Sequence, residues 1–434
     1  MKNGILSFVI LSLFCWACAH KETVKATPDF VRVENGRFMI GDSTYKFIGA
    51  NFWYGTILAS EGQGGDRERL KKELDLLKEN GIDNLRILVG GDGDERVSSH
   101  IRPILQTAPG VYNDTILAGL DFLLSEMEKR DMKAVLYLNN AWEWSGGYGT
   151  YLEWAGVGPA PDPTFDGYNA YVDYVSHFVT NDTAKKFAAD HVRNIVGRTN
   201  RYSGKPYSES PAIMSWQIAN EPRAFASDSV TKEAFATWLT DQAALIKSID
   251  PNHLVSTGSE GLYGCQVDFS LWERIHSDPN IDYGILHLWP LNWQWINRES
   301  VAEDIDSAIY HAREYITPHS VSMRKIGKPI VMEEFGYPRD GFVFTPGSPT
   351  TGRDEFYQFV FSLVNDEDLL DGCNFWGWGG LAVPANDSWQ PWDPYTGDPA
   401  QEPQGLNSVF ANDSTTMNVI RQATLRLPQK IQNQ

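Results

Sequence analysis

Only four of the 434 residues are cysteine, at positions 15, 18, 265 and 373. Two of them lie in an apolar amino-terminal run, so Cys265 and Cys373 alone remain for the folded part and disulfides do not frame it. Clusters of lysine and arginine are also missing, and the formal charge is −19. That balance excludes nucleic acid and anionic membrane surfaces as partners but leaves a neutral substrate unaffected. There is no H-E-x-x-H, no pair of C-x-x-C motifs and no EF-hand spacing, so neither a metal nor another cofactor is expected. The acidic stretch Gly91–Glu95 reads as a solvated turn. A G-x-S-x-G elbow is absent, and Ser215 falls mid-strand, which argues against a serine nucleophile. Finally, no Gly/Ser/Pro-rich linker and no repeat divides the chain, so residues 29–434 are expected to form a single domain.

The amino terminus has the layout of an export signal. Lys2 precedes an apolar segment from Ile5 to Ala17, too short to span a bilayer. Residues 1–17 resemble a bacterial lipoprotein signal, with small Ala17 before Cys18, although Cys15 stands where such signals usually carry leucine. The resemblance implies lipidation of Cys18, a polar tether over residues 18–28, and anchoring at an outer membrane or cell surface. Plain secretion, or release into a periplasm, is the alternative.

Beyond the tether, short apolar runs alternate with longer amphipathic segments. The runs are 46–52, 84–90, 133–140, 212–221, 254–260, 283–290, 329–336 and 372–380. Helical patterns lie between them at 66–80, 115–130, 165–200, 232–250, 300–319 and 353–365, with Ser300 and Glu303 spaced as a capping box. Strands separated by helices imply parallel pairing, because parallel neighbours need long crossovers. Eight such units predict an α/β fold, the closed (β/α)₈ TIM barrel. The alternative, an open doubly wound sheet, usually carries a Gly-rich phosphate loop after its first strand, which Gly49–Ser60 does not resemble. Residues 30–47 read as a β-hairpin, with Glu-Asn-Gly and Gly-Asp-Ser as turns, placed as a lid under the barrel.

In such a barrel, polar residues at the carboxyl ends of strands are the functional candidates. Those ends offer Arg86, Asn139–Asn140 with Trp142, Asn220–Glu221, Glu260, His287 with Trp289, Glu333–Glu334, and Trp376 with Trp378. Aromatics are abundant, with 15 Trp and 18 Tyr, and tryptophans gather in the loops after the third, sixth and eighth runs. Indoles suit the C–H faces of sugar rings, and two carboxylates suit glycosidic cleavage. Tryptophan loops on different sides of the barrel imply a cleft open at both ends and cutting within a chain. Of the adjacent glutamates, strand alternation sends one into the barrel mouth and the other toward the helical layer.

Five motifs in order then resemble glycoside hydrolase family 5, and within it the endo-β-1,4-mannanases: Ser215–Arg223, His287–Pro290, Val331–Arg339, Asn374–Gly380 and Thr396–Phe410. The likeness covers nearly all of residues 30–425. It implies Glu221 as acid/base and Glu334 as nucleophile, so that Glu333 is the one facing the helices. It also implies a substrate-binding set of Arg86, Asn140, Trp142, Asn220, His287, Trp289 and Trp376, with Asn220 toward a 2-hydroxyl and Arg86 keeping Glu334 ionised. The implied substrates are mannans, glucomannans or galactomannans, cut by double displacement. Two departures stand out. Trp289 replaces the tyrosine usual two residues after the histidine, and Leu88–Val89 replace a tryptophan usual after the arginine. A β-1,4-glucanase of the same family and a non-catalytic glycan-binding lipoprotein are the competing readings.

Mass spectrometry of the mature protein purified from its native membrane should show a lipid-modified Cys18 at the amino terminus. An unmodified terminus elsewhere would remove the anchor.

Overall fold

In this computed structural model, residues 30–428 are described, so Cys15, Cys18 and the tether lie outside them. The barrel strands are β1 (Phe47–Asn51), β2 (Asn84–Leu88), β3 (Lys133–Tyr137), β4 (Ile213–Gln217), β5 (Leu254–Ser256), β6 (Gly284–Leu288), β7 (Ile330–Phe335) and β8 (Gly372–Phe375). They form one parallel sheet in the order β5-β4-β3-β2-β1-β8-β7-β6. Each strand is buried along its whole length, as covering both faces of a parallel sheet requires. Between β5 and β6 the ring is closed by Asp282 N donating to Val255 O at 2.8 Å and His287 N donating to Glu260 O at 3.4 Å. This is the expected (β/α)₈ barrel.

Around it run α1 (Arg67–Glu79), α2 (Asp114–Lys129), α3 (Asp182–Val196), α4 (Ser229–Ile249), α5 (Phe269–His276), α6 (Ile305–Ile326), α7 (Thr351–Asn365) and α8 (Ser414–Thr424). Two of these differ from the sequence reading in an instructive way. The helix expected over 165–200 is interrupted, because the Asn181 side chain accepts from Ala184 N and starts α3 afresh. The expected capping box is not formed: Ser300 Oγ donates to Asp304 Oδ2 at 2.7 Å, and α6 starts only at Ile305. That helix then continues through Pro318 to a left-handed Gly327. Among the described residues no helix is long and apolar enough to cross a membrane.

The amino-terminal lid is present as a three-stranded antiparallel sheet over Arg32–Glu34, Arg37–Ile40 and Ser43–Thr44. Asn35 and Gly36 both have positive φ, 52° and 74°, the backbone that an Asn-Gly hairpin turn demands. Val31, Phe38 and Tyr45 from this lid pack with Val135, Met214, Tyr283, Ile285 and Val331 to plug the lower end of the barrel. Polar side chains are thereby left for the upper end. The Gly91–Glu95 stretch is only half the solvated turn expected. Asp94 and Glu95 are exposed, but Asp92 is buried, accepts from Gln106 Nε2 at 3.0 Å, and is pushed up by burial to about 7.

Candidate active site

Strand β4 runs on past its ladder through Ile218 and Ala219 to Asn220, which bridges to Asn140 after β3. Glu221 follows with φ 47°, a left-handed backbone that turns its side chain back over the barrel. Across the mouth, Glu334 stands near the end of β7. A carboxylate oxygen of each glutamate and a ring nitrogen of His287 all lie within 4.8 Å of one another. His287 Nδ1 is 2.9 Å from Glu221 Oε1 and 3.3 Å from Glu334 Oε2. Facing two carboxylates, Nδ1 must carry a proton.

Each glutamate has its own donors. Trp142 Nε1 donates to Glu221 Oε2, and Trp289 Nε1 donates to Glu221 Oε1 at 3.3 Å. The indole that replaces the usual tyrosine therefore serves Glu221 and not Glu334. Glu334 instead receives an Arg86 guanidinium N–H. Arg86 is completely buried and spends its other donors on Gln217 Oε1 at 2.8 Å, Asn51 Oδ1 at 3.1 Å and Asn220 Oδ1 at 2.8 Å. Its guanidinium lies over the Tyr137 ring, 4.3 Å from the centroid.

Alternation does not hold at the adjacent glutamates. In the β6–β7 register Leu286 pairs with Met332 and His287 pairs with Glu334, leaving Glu333 as an extra residue. Such a bulge puts two consecutive residues against one and re-aims a side chain. Val331 lies in the lower barrel plug, and Phe335 packs outward on Tyr357 and Phe361 of α7. Between them both glutamates point inward. Glu333 therefore faces Tyr283, Gln217 and Arg86 rather than the helical layer that alternation counted back from an inward Glu334 predicts.

A cavity of about 410 Å³ opens above this pair, lined by Trp142, Trp289, Trp293, Trp376, Glu221 and Glu334, with Asn220 beside them. Arg86, Asn140 and His287 were grouped with the substrate contacts on sequence, but all three are fully buried and none lines the cavity. Asn140 works from behind, accepting from Trp142 N at 3.1 Å and from Asn220 Nδ2 at 3.2 Å. Trp378, also from the eighth run, turns outward and donates to Glu73 of α1. Sequence reasoning missed Asn51, Gln217, Tyr283 and the Arg223–Glu260 ion pair beside Glu221. Polarity inside an apolar run was the available signal for Gln217. A wider groove of about 810 Å³ between α3 and α4 contains none of the strand-end residues.

Electrostatics follow from these contacts. Burial pushes the Glu221 carboxyl up, but the hydrogen bond and charge of His287, with Arg223 and Trp142, prevail and leave it below the ordinary range. Burial alone would depress His287; the Glu334 charge and the Glu221 hydrogen bond instead raise it to about 9. In the empty cleft the proton of this cluster thus resides on the imidazole. The same three side chains could surround a cation, yet Arg86 already neutralises Glu334 and two indoles occupy Glu221. Cys265 and Cys373 are unbonded and buried.

A model of the family described as "GH family 5 beta-mannosidase-like" matches residues 28–433. The chain belongs to this glycoside hydrolase family. Mannan endo-1,4-beta-mannosidase 7 of Arabidopsis thaliana is 26% identical over 436 residues, 96% of this chain and 90% of the plant protein. A glycoside hydrolase family 5 mannosidase from Rhizomucor miehei superposes with a TM-score of 0.83 at 33% identity, covering 92% of this chain and 98% of that one. The endo-beta-1,4-mannanase from Thermotoga petrophila shares the fold, with a TM-score of 0.66 at 23% identity over 90% of this chain and 78% of its own.

The raised His287 makes a prediction about stability. Its folded-state value lies above the unfolded one, so its contribution is complete below about pH 6.5 and is lost as pH rises through about 9. Denaturant unfolding of wild type and His287→Gln from pH 6 to 10 should show the wild-type advantage shrinking by about 3 kcal/mol. A pH-independent difference would mean that folding leaves His287 unshifted from its ordinary value.

Proposed function

We propose that this enzyme hydrolyses β-1,4-mannosidic bonds within mannan, glucomannan or galactomannan chains by a retaining double displacement. One observation carries the mechanism: the facing carboxylate oxygens of Glu221 and Glu334 lie within 4.8 Å of each other. Retention needs carboxyl groups about 5–5.5 Å apart, whereas inversion leaves roughly 6.5–9.5 Å for a water. The mannan substrate is supported by the names of the relatives and by a tryptophan-lined cavity suited to neutral sugars.

Transfer of the Nδ1 proton across the 2.9 Å contact leaves neutral His287, protonated Glu221 and ionised Glu334 held by Arg86. That is the charge distribution the first step requires. Glu334 attacks the anomeric carbon, the glycosidic C–O bond breaks, and the Glu221 proton goes to the leaving oxygen. The glycosyl ester then cancels the charge of Glu334. Glu221, now a carboxylate, takes a proton from water, whose oxygen displaces the ester. Arg86 and His287 act from behind the cavity, and Trp142, Trp289 and Trp376 present ring surface to sugar. At the cell, we propose the lipid anchor on Cys18, at an outer membrane or cell surface.

Removal of sugars from a chain end is a second reading with a specific observation behind it. Trp53 packs edge to face on Trp144 and Tyr395, with centroids 5.7 and 4.9 Å away, and Trp144 lies 6.4 Å from Trp376. This aromatic block borders the cavity through Trp144, and no residue from the loops after β1 or β2 lines it.

Purified enzyme on mannohexaose and on mannan should yield mixed oligosaccharides early, with a rapid fall in polymer viscosity; mannose alone from the outset favours the chain-end reading. Glu334→Ala should abolish turnover on every substrate. Glu221→Ala should lose about 10²–10⁴-fold on mannan yet keep glycosylation of aryl mannosides whose leaving groups need no proton. Full activity of folded Glu334→Ala contradicts the mechanism.

A further inference from the structure

Glu333 is a buried carboxylate that the reaction as derived leaves unused. It is 0% exposed and lies directly beneath the reacting groups. Tyr283 OH donates to its Oε1 at 3.1 Å, Gln217 Nε2 donates to its Oε2, and Arg86 Nε is 3.5 Å from that oxygen. Its backbone carbonyl accepts from Asn51 Nδ2 at 2.7 Å. Gln217 and Asn51 are also two of the groups that hold Arg86.

We propose that Glu333 is a positioning residue: through Gln217 and Asn51 it fixes the Arg86 guanidinium against Glu334. The inference rests on the reading of Glu334 as nucleophile.

The argument starts from the Gln217 amide, which could face either way. A carboxylate accepts only, so Glu333 captures the amide nitrogen and turns Oε1 toward Arg86 Nε. Were the amide reversed, its N–H₂ would meet the guanidinium N–H, donor against donor. The bulge completes the arrangement. It frees the Glu333 carbonyl for Asn51 Nδ2, which leaves Asn51 Oδ1 facing the same guanidinium nitrogen that donates to Glu334. Arg86 is thus located by three acceptors before it meets the nucleophile. An unbulged strand would keep Glu333 inward on the face of Val331 but turn Glu334 to the helices, away from Arg86.

The test compares Glu333→Leu, which fills the space without accepting, with Glu333→Gln, which restores an acceptor for Gln217 without the charge. Thermal midpoints confirm folding, and kcat, KM and the acid limb of the kcat/KM profile are measured on an aryl mannoside. Glu333→Leu is expected to lose at least tenfold in kcat with little change in KM, and its acid limb to move up by about one pH unit as Arg86 leaves the nucleophile. Glu333→Gln is expected to recover most of kcat without that upward shift. Unchanged kcat and acid limb in folded Glu333→Leu overturn the inference. A downward shift in both variants would show that Glu333 acts through its charge alone, and overturns it as well. If Glu333→Leu does not fold, Gln217→Met removes the relay above an intact Glu333 and must give the same upward shift. A fluorinated mannoside trapped on wild type separates the two levels. Label on Glu333 defeats the nucleophile assignment itself, whereas label on Glu334 with a fully active Glu333→Leu defeats only the positioning role.

Discussion

The contact between Arg86 and Glu334 organises the mouth of this barrel. Both side chains are almost completely removed from water, and a buried charge pair repays its desolvation only when geometry and additional hydrogen bonds are complete. The surrounding strands supply that completeness. Asn51 comes from β1, Gln217 and Asn220 from β4 and its extension, and the Tyr137 face from β3. Each of these side chains is aimed by a strand held on both sides, so the guanidinium is fixed by rigid backbone rather than by loops.

The lower plug and the upper cluster are two halves of one constraint. Phe38 and Tyr283 meet edge to face with centroids 5.2 Å apart, sealing the bottom with apolar rings. The Tyr283 hydroxyl then reaches upward to Glu333, marking the level at which the interior changes from apolar to charged. Above it the charges are layered: Glu333, Arg86, Glu334 with His287, and Glu221 at the cavity. Neighbouring layers alternate in sign, except that Glu221 and Glu334 share the imidazole. That shared imidazole holds the cluster's proton 2.9 Å from Glu221, the acid of the proposed mechanism.

Much of this was legible in the sequence because barrel strands are continuous apolar runs and their polar ends are conspicuous. All eight strands and the Asn-Gly hairpin turn followed from pattern. The helices α5 and α8 did not. One is eight residues long, too short for a periodic signal, and the other, Ser414–Thr424, carries three Thr, a Ser and an Asn, which are weak helix formers. Glu333 was placed on the wrong face for a definite reason. Alternation assumes an unbroken pleat, and a bulge is a property of two strands in register, visible only when β6 lies beside β7. Tryptophan counting misled in a similar way. Trp378 sits in the same kind of loop as Trp376, yet it faces α1 rather than the cavity.

The central claim is that Glu334 and Glu221 stand close enough for a covalent intermediate rather than for a water between them. Proton NMR of the first product from an aryl β-mannoside, recorded before mutarotation, tests this most directly. The account predicts that the β anomer is released first and that the α anomer grows in later; release of the α anomer first would contradict it.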